Sequence, residues 1–113
     1  MATLPVYELS NLDGVRVSSP QAEGALVCFI KEDCPTCQEV MPVLDAFFAQ
    51  YGEHMPVQVI GQTQEGNSAL DAAFSPSFSI LDDSALRVSF TADIETVPTL
   101  LHTDANGNEL TRL

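Results

Sequence analysis

Tryptophan is absent from this 113-residue chain, and basic side chains are scarce. Arg16, Lys31, Arg87 and Arg112 stand against sixteen acids, for a net charge of −12. Such a surface is repelled by nucleic-acid phosphates and by anionic lipid, which argues against a nucleic-acid partner. No apolar run approaches the ~20 residues that a membrane-spanning helix needs. The opening residues, Met1 to Glu8, lack the basic segment and apolar core of a secretory leader. The chain is therefore expected in the cytoplasm or, if a leader was removed, in the periplasm or another extracytoplasmic space. Cysteine is sparse as well. Three are too few to scaffold a small secreted domain, and an odd number leaves one thiol over from a single bridge. Repeats, low-complexity tracts and linker-like composition shifts are all missing, so residues 1–113 are expected to form a single domain.

What is present is an α/β pattern. Two short extended pieces between Val6 and Val17 flank Asp13-Gly14, a strong hairpin-turn signal. Ala25–Ile30 is an unbroken apolar run of strand length, as expected of a strand covered on both faces. From Pro35 to Tyr51, Val40, Met41, Leu44, Phe47, Phe48 and Tyr51 trace one helical face, with Gly52 as the stop and Pro42 as an expected kink. Val57–Gly61 reads as a second buried strand. Asn67 or Ser68 is the expected cap of a short helix ending at Phe74, followed by a strand over Phe78–Leu81. Asp82 or Asp83 is expected to cap a helix reaching about Thr91. Pro98–Thr103 and Glu109–Arg112 then form a hairpin around Asn106-Gly107. Strands alternating with helices and closing in a hairpin predict a mixed sheet.

The chemistry concentrates in Cys34-Pro35-Thr36-Cys37, between the buried strand and the long helix. Proline is favoured at the first helical position, which makes Cys34 the N-cap. Its sulfur then faces free backbone amides, those of Thr36 and Cys37, and the positive end of the helix dipole. Both favour thiolate over thiol, so the Cys34 pKa is expected to be lowered. Cys37 sits one turn further in. A thiolate that attacks a disulfide, with a second thiol to resolve the mixed intermediate, is the machinery of thiol–disulfide exchange. Half a zinc site has the same spacing, but no second cysteine pair follows, and His54 and His102 lie far off in sequence. A buried, inert cysteine pair is the bland alternative. No metal and no cofactor beyond a Cys34–Cys37 disulfide are expected.

At these residues the chain resembles the thioredoxin superfamily. The match lies in Ala25–Ile30, Cys34-Pro35-Thr36-Cys37, Pro42 five residues after the second cysteine, and Thr96-Val97-Pro98-Thr99. Asn11-Leu12-Asp13-Gly14 and the inserted segment Ser68–Leu81 look most similar to the disulfide reductases of cytochrome c maturation and to alkyl-hydroperoxide-type members. The resemblance implies a three-layer fold, a mixed central sheet with helices on both faces, and here an N-terminal hairpin extension. It implies a cis Val97–Pro98 bond beside the dithiol, with Val97, Pro98, Pro35 and Thr36 docking an extended substrate. It implies Cys34 as nucleophile and Cys37 as resolving thiol. The partners implied are a disulfide-containing protein or small thiol and an upstream thiol reductase.

Three departures stand out. Cys28 occupies the place of a buried aspartate held to move the resolving thiol's proton, leaving Lys31 or Glu32 as rim substitutes. Cys28 itself reads most simply as a small buried hydrophobe. Asp33 replaces a common tryptophan, and its charge is expected to raise the Cys34 pKa. The usual last helix has no counterpart after Glu109–Arg112, so an apolar patch is expected, covered by a second copy in a homodimer or left by truncation. A peroxidase would place threonine three residues before the cysteine, where Lys31 stands. A copper-delivery protein would use a wider cysteine spacing. A non-enzymatic interaction or redox-sensing module remains the alternative to a reductase.

Overall fold

The computed structural model describes residues 3–20 and 24–113. A two-stranded hairpin, β1 (Glu8–Ser10) and β2 (Arg16–Ser18), precedes β3 (Ala25–Ile30) and the long helix α1 (Pro35–Tyr51). There follow β4 (Val57–Gly61), α2 (Gln64–Phe74), β5 (Ile80–Asp82), α3 (Arg87–Thr91), β6 (Thr99–Thr103) and β7 (Glu109–Arg112). The five-stranded sheet runs β5-β4-β3-β6-β7. β3 is parallel to β4 and antiparallel to β6, so the sheet is mixed, with the most apolar strand at its centre.

Alternation along β3 sends side chains to two separate cores. Val27 and Phe29 join Ile60, Leu81, Leu101, Val88 and Ala92, under α3 and the N-terminal residues Leu4 and Tyr7. Cys28 and Ile30 join Val59, Ile80, Cys37, Met41, Leu44 and Leu70, under α1 and α2. Helices thus cover both faces, and the hairpin packs Leu9 and Val17 against the first core. The turn expected at Asp13-Gly14 is built by Asn11, whose Oδ1 accepts the amides of Asp13 and Val15 while Gly14 takes φ +80°. β7 forms one edge of the sheet and β5 the other.

Several boundaries differ from the sequence reading. α2 begins at Gln64 and not beyond Asn67, because Thr63 is the N-cap and its hydroxyl accepts the Gly66 amide at 3.1 Å. Asn67 instead lies buried in the helix and donates to the Leu81 carbonyl. β5 starts at Ile80, since Phe78 turns into the core against the Phe48 ring. α3 starts only at Arg87, with Leu86 as N-cap in a left-handed conformation. Asp83 nevertheless serves that helix: its carboxylate accepts the amides of Val88 and Ser89 and the Ser89 hydroxyl. β6 begins at Thr99, one residue after Pro98. Gly52 ends α1 with φ −61°, so close approach explains it and not a left-handed cap: a Cβ there would meet the Phe48 carbonyl at 2.5 Å.

Candidate functional site

β3 ends at Ile30, and the turn Lys31–Asp33 delivers Cys34 to the N-cap of α1 with extended backbone, φ −98° and ψ 115°. Pro35 occupies the first turn, where its missing N–H leaves no carbonyl unmet. The Cys37 amide donates to Cys34 Sγ at 3.4 Å. This backbone hydrogen bond is the chief cause that lowers the Cys34 pKa from its ordinary value near 9.0, and the Thr36 amide adds to it. Burial opposes the shift without reversing it. Cys34 is half-buried, and all three cysteines are free thiols.

Cys37 is fully buried under the first turn of α1. Burial raises its pKa to about 11, and the main-chain N–H of Lys31, 3.4 Å from its Sγ, works the other way. Cys28 packs in the same core from the sheet side. Burial, then the charge of Cys37, raises its pKa to about 12. Three thiols thus share one site, and only the outermost is shifted toward thiolate.

The rim modifies the sequence reading. Asp33 was expected to act on Cys34, but its carboxylate is paired with Lys31 Nζ at 3.6 Å and its charge raises Cys37 instead. Lys31 contributes a main-chain N–H, a group that side-chain identity does not encode. Glu32 packs over the start of α2, where a Cβ on Gly66 would meet its Cγ at 2.4 Å. An open cleft of about 480 Å³ borders this turn, lined by Lys31, Glu32, Asp33, Gln62, Thr63 and Glu65.

Val97 arrives from 63 residues further along. Its carbonyl accepts from Cys34 Sγ at 3.4 Å, and the Val97–Pro98 peptide is cis. The structure therefore brings Cys34, Cys37, Val97 and Pro98 together, with Pro35 and Thr36 exposed beside them and Cys28 beneath. His54 and His102 lie elsewhere, the latter on β6 facing Gly24.

The architecture is that of thioredoxin-fold proteins. No protein-family model and no curated protein matches the sequence. Solved structures do match. A thiol-disulfide oxidoreductase from Bacteroides fragilis superimposes with a TM-score of 0.78 at 18% identity, over 97% of this chain and 88% of that one. StoA from Bacillus subtilis gives 0.81 at 20% identity, over 100% and 90%. The exposed lipoprotein thioredoxin Etrx1 from Streptococcus pneumoniae gives 0.81 at 16% identity, over 96% and 88%. At these identities the likeness establishes the thioredoxin-like fold.

Proposed function

We propose that this chain is a thiol–disulfide oxidoreductase that reduces protein disulfides through Cys34 and Cys37. One observation carries the reading: the Cys34 sulfur sits at the N-cap of α1, accepting the Cys37 amide, with the Val97 carbonyl 3.4 Å away. The reaction follows from that arrangement. The Cys34 thiolate attacks one sulfur of the substrate disulfide, a mixed disulfide forms, and the other substrate sulfur leaves as thiolate. Cys37 then loses its proton and attacks Cys34 Sγ. The second substrate thiolate departs, and the pair is left as a Cys34–Cys37 disulfide. Two electrons have passed to the substrate, and an upstream thiol reductase must return them.

Val97 has a defined part in this scheme. Ionisation of Cys34 removes the proton directed at the Val97 carbonyl, and that carbonyl becomes free to accept an N–H from an extended substrate segment. Pro98 keeps an N–H donor away from the same ledge. Cys28 is a poor proton acceptor for Cys37, since its own thiol is held protonated by burial. Lys31 supports the resolving sulfur through its main-chain amide, and Glu32 and Asp33 make the rim acidic.

Export fits the likeness to the pneumococcal exposed lipoprotein better than the cytoplasmic expectation does. No described helix is long and apolar enough to cross a membrane. The homodimer belongs to the same proposal. Exposed Leu110 on β7 and Leu113 just beyond it are the apolar groups it would cover, and sedimentation across a concentration series tests it.

Insulin reduction with dithiothreitol as electron source tests the central claim. The natural chain is expected to accelerate it, Cys34→Ser to abolish it, and Cys37→Ser to accumulate a mixed disulfide through Cys34. A reduction potential near or below roughly −270 mV supports a reductase, whereas one near about −120 mV makes the chain an oxidant.

A further inference from the structure

The ledge beside Cys34 belongs to a segment with no strand partner of its own, since β6 starts only at Thr99. Side chains hold its carbonyls instead. Thr99 Oγ1 donates to Thr96 O at 2.6 Å, and Cys34 Sγ meets Val97 O. At the other end of the segment, Arg112 Nη2 donates to Ala92 O at 2.7 Å and Nη1 to Asp93 O at 2.8 Å. Between these anchors, Ile94 and Val97 pack against the core under α3. Asp93 takes φ +57° at the helix end, where the Ile94 amide closes the turn on Ser89 O at 2.9 Å, and the Ala92 and Asp93 carbonyls face Arg112.

Arg112 ties these carbonyls to the edge of the sheet. It is one of four basic side chains in a chain of net charge −12. Its position opposite Leu101 places it on the α3 side of the sheet. Its Nε donates to Glu109 Oε1 at 2.8 Å, and Nη2 lies 2.7 Å from the same carboxylate, so the guanidinium is oriented before it reaches the loop. The planar fork addresses two consecutive carbonyls at the end of α3, where a positive charge is also favoured by the helix dipole. A lysine has no such fork.

We propose that Arg112, oriented by Glu109, is a positioning residue that sets the Val97 ledge over Cys34 and so governs recognition of extended polypeptide disulfides. The inference rests on the oxidoreductase reading above. It separates two properties of the site. Thiol reactivity comes from the start of α1, which Arg112 does not touch. Docking of a backbone segment comes from the height and direction of residues 96–98, which the segment anchored by Arg112 carries.

The test compares Arg112→Ala, Arg112→Lys and Glu109→Gln on two substrates: insulin, whose chains must lie along the ledge, and hydroxyethyl disulfide, which is small and neutral. For Arg112→Ala the KM for insulin is expected to rise about tenfold, the loss of roughly one net hydrogen bond's worth of docking, with kcat within about twofold. The rate with hydroxyethyl disulfide should stay within about twofold. Arg112→Lys should recover only part of the insulin KM, and Glu109→Gln should raise it in the same direction by less. Equal losses on both substrates, an unchanged insulin KM, or full recovery by lysine would each overturn the assignment. Should Arg112→Ala fail to fold by circular dichroism, the lysine and Glu109→Gln variants carry the same comparison. A natural chain that does not reduce insulin at all defeats the oxidoreductase reading, and the Arg112 proposal with it. A fully active natural chain with indifferent variants defeats the proposal alone.

Discussion

Alkylation of the reduced chain at pH 7 should discriminate sharply among its three thiols, and the size of the discrimination follows from their surroundings. A thiol with pKa about 11, as at Cys37, is ionised in roughly one molecule in ten thousand at pH 7, against about one in a hundred for a thiol at the ordinary value near 9.0. Cys34 lies below that ordinary value, so its thiolate fraction exceeds that of Cys37 by at least about a hundredfold. The less basic thiolate is also less nucleophilic. With a Brønsted coefficient of about 0.4–0.5, a gap of two units gives back a factor of roughly six to ten. Iodoacetamide should therefore modify Cys34 at least about tenfold faster than Cys37, and the full burial of Cys37 widens the margin. Timed quenching and peptide mass spectrometry give the three rates directly. Replacing Cys37 by alanine supplies a second check. The chief cause of the Cys34 shift is the backbone amide at position 37, which alanine retains, so the Cys34 pKa should remain depressed. Faster labelling of Cys37 or Cys28, or a Cys34 pKa at or above 9.0 in Cys37→Ala, would refute the N-cap account of the site.

Four further outcomes are expected. Gly61→Ala should cost about 2–5 kcal/mol, because a Cβ there would lie 1.7 Å from Asn67 Oδ1 and displace a buried amide that bonds Leu81. Thermal melting measures that loss, and Asn67→Ala in the same chain should restore part of it. Gly66→Ala should displace both the Thr63 cap and Glu32 and lower the melting temperature, without changing the potential of the dithiol by more than about 30 mV. Asp83→Asn should destabilise the fold by about 1.5–3 kcal/mol in chemical denaturation, since one oxygen that now accepts two donors from Ser89, or the one facing Val88, becomes an amide donor. Finally, alkaline pH should destabilise the reduced protein. Cys37 and Cys28 ionise at about 11 and 12 when folded and near 9.0 when exposed, so their contribution is complete below about pH 9 and is lost as pH rises through the folded values. Melting temperatures between pH 8 and 11 should fall, and more gently in Cys28→Ala; a slope independent of Cys28 would contradict its burial as a thiol.

Much of the fold was legible because its signals are short-range. The unbroken apolar run Ala25–Ile30, the helical face from Val40 to Tyr51 and the turn at Asp13-Gly14 each depend on residues a few positions apart. So does the placement of Cys34 at an N-cap, which needs only Pro35 and the strand before it. The start of α2 was misread for the same reason. Asn67 is a good cap locally, but tertiary burial against Gly61 and Leu81 claims its side chain, and Thr63 takes the role. α3 was misplaced because Asp83 reaches the amides of residues five and six positions on, across a left-handed Leu86 that no local rule announces. The electrostatics of the rim were also decided in three dimensions: the pairing of Asp33 with Lys31 and its effect on Cys37 depend on side-chain directions, not spacing. Short-range sequence signals therefore located the Cys34–Cys37 pair at the start of α1 and the strand that leads into it. That Val97 lies beside Cys34 was implied by the resemblance and not by local pattern, and the order β5-β4-β3-β6-β7 is what brings it there and lets Arg112, from the edge strand, hold the end of α3. Those contacts join residues 63 and about 20 positions apart, and hydrophobic periodicity carries no information about which faces meet.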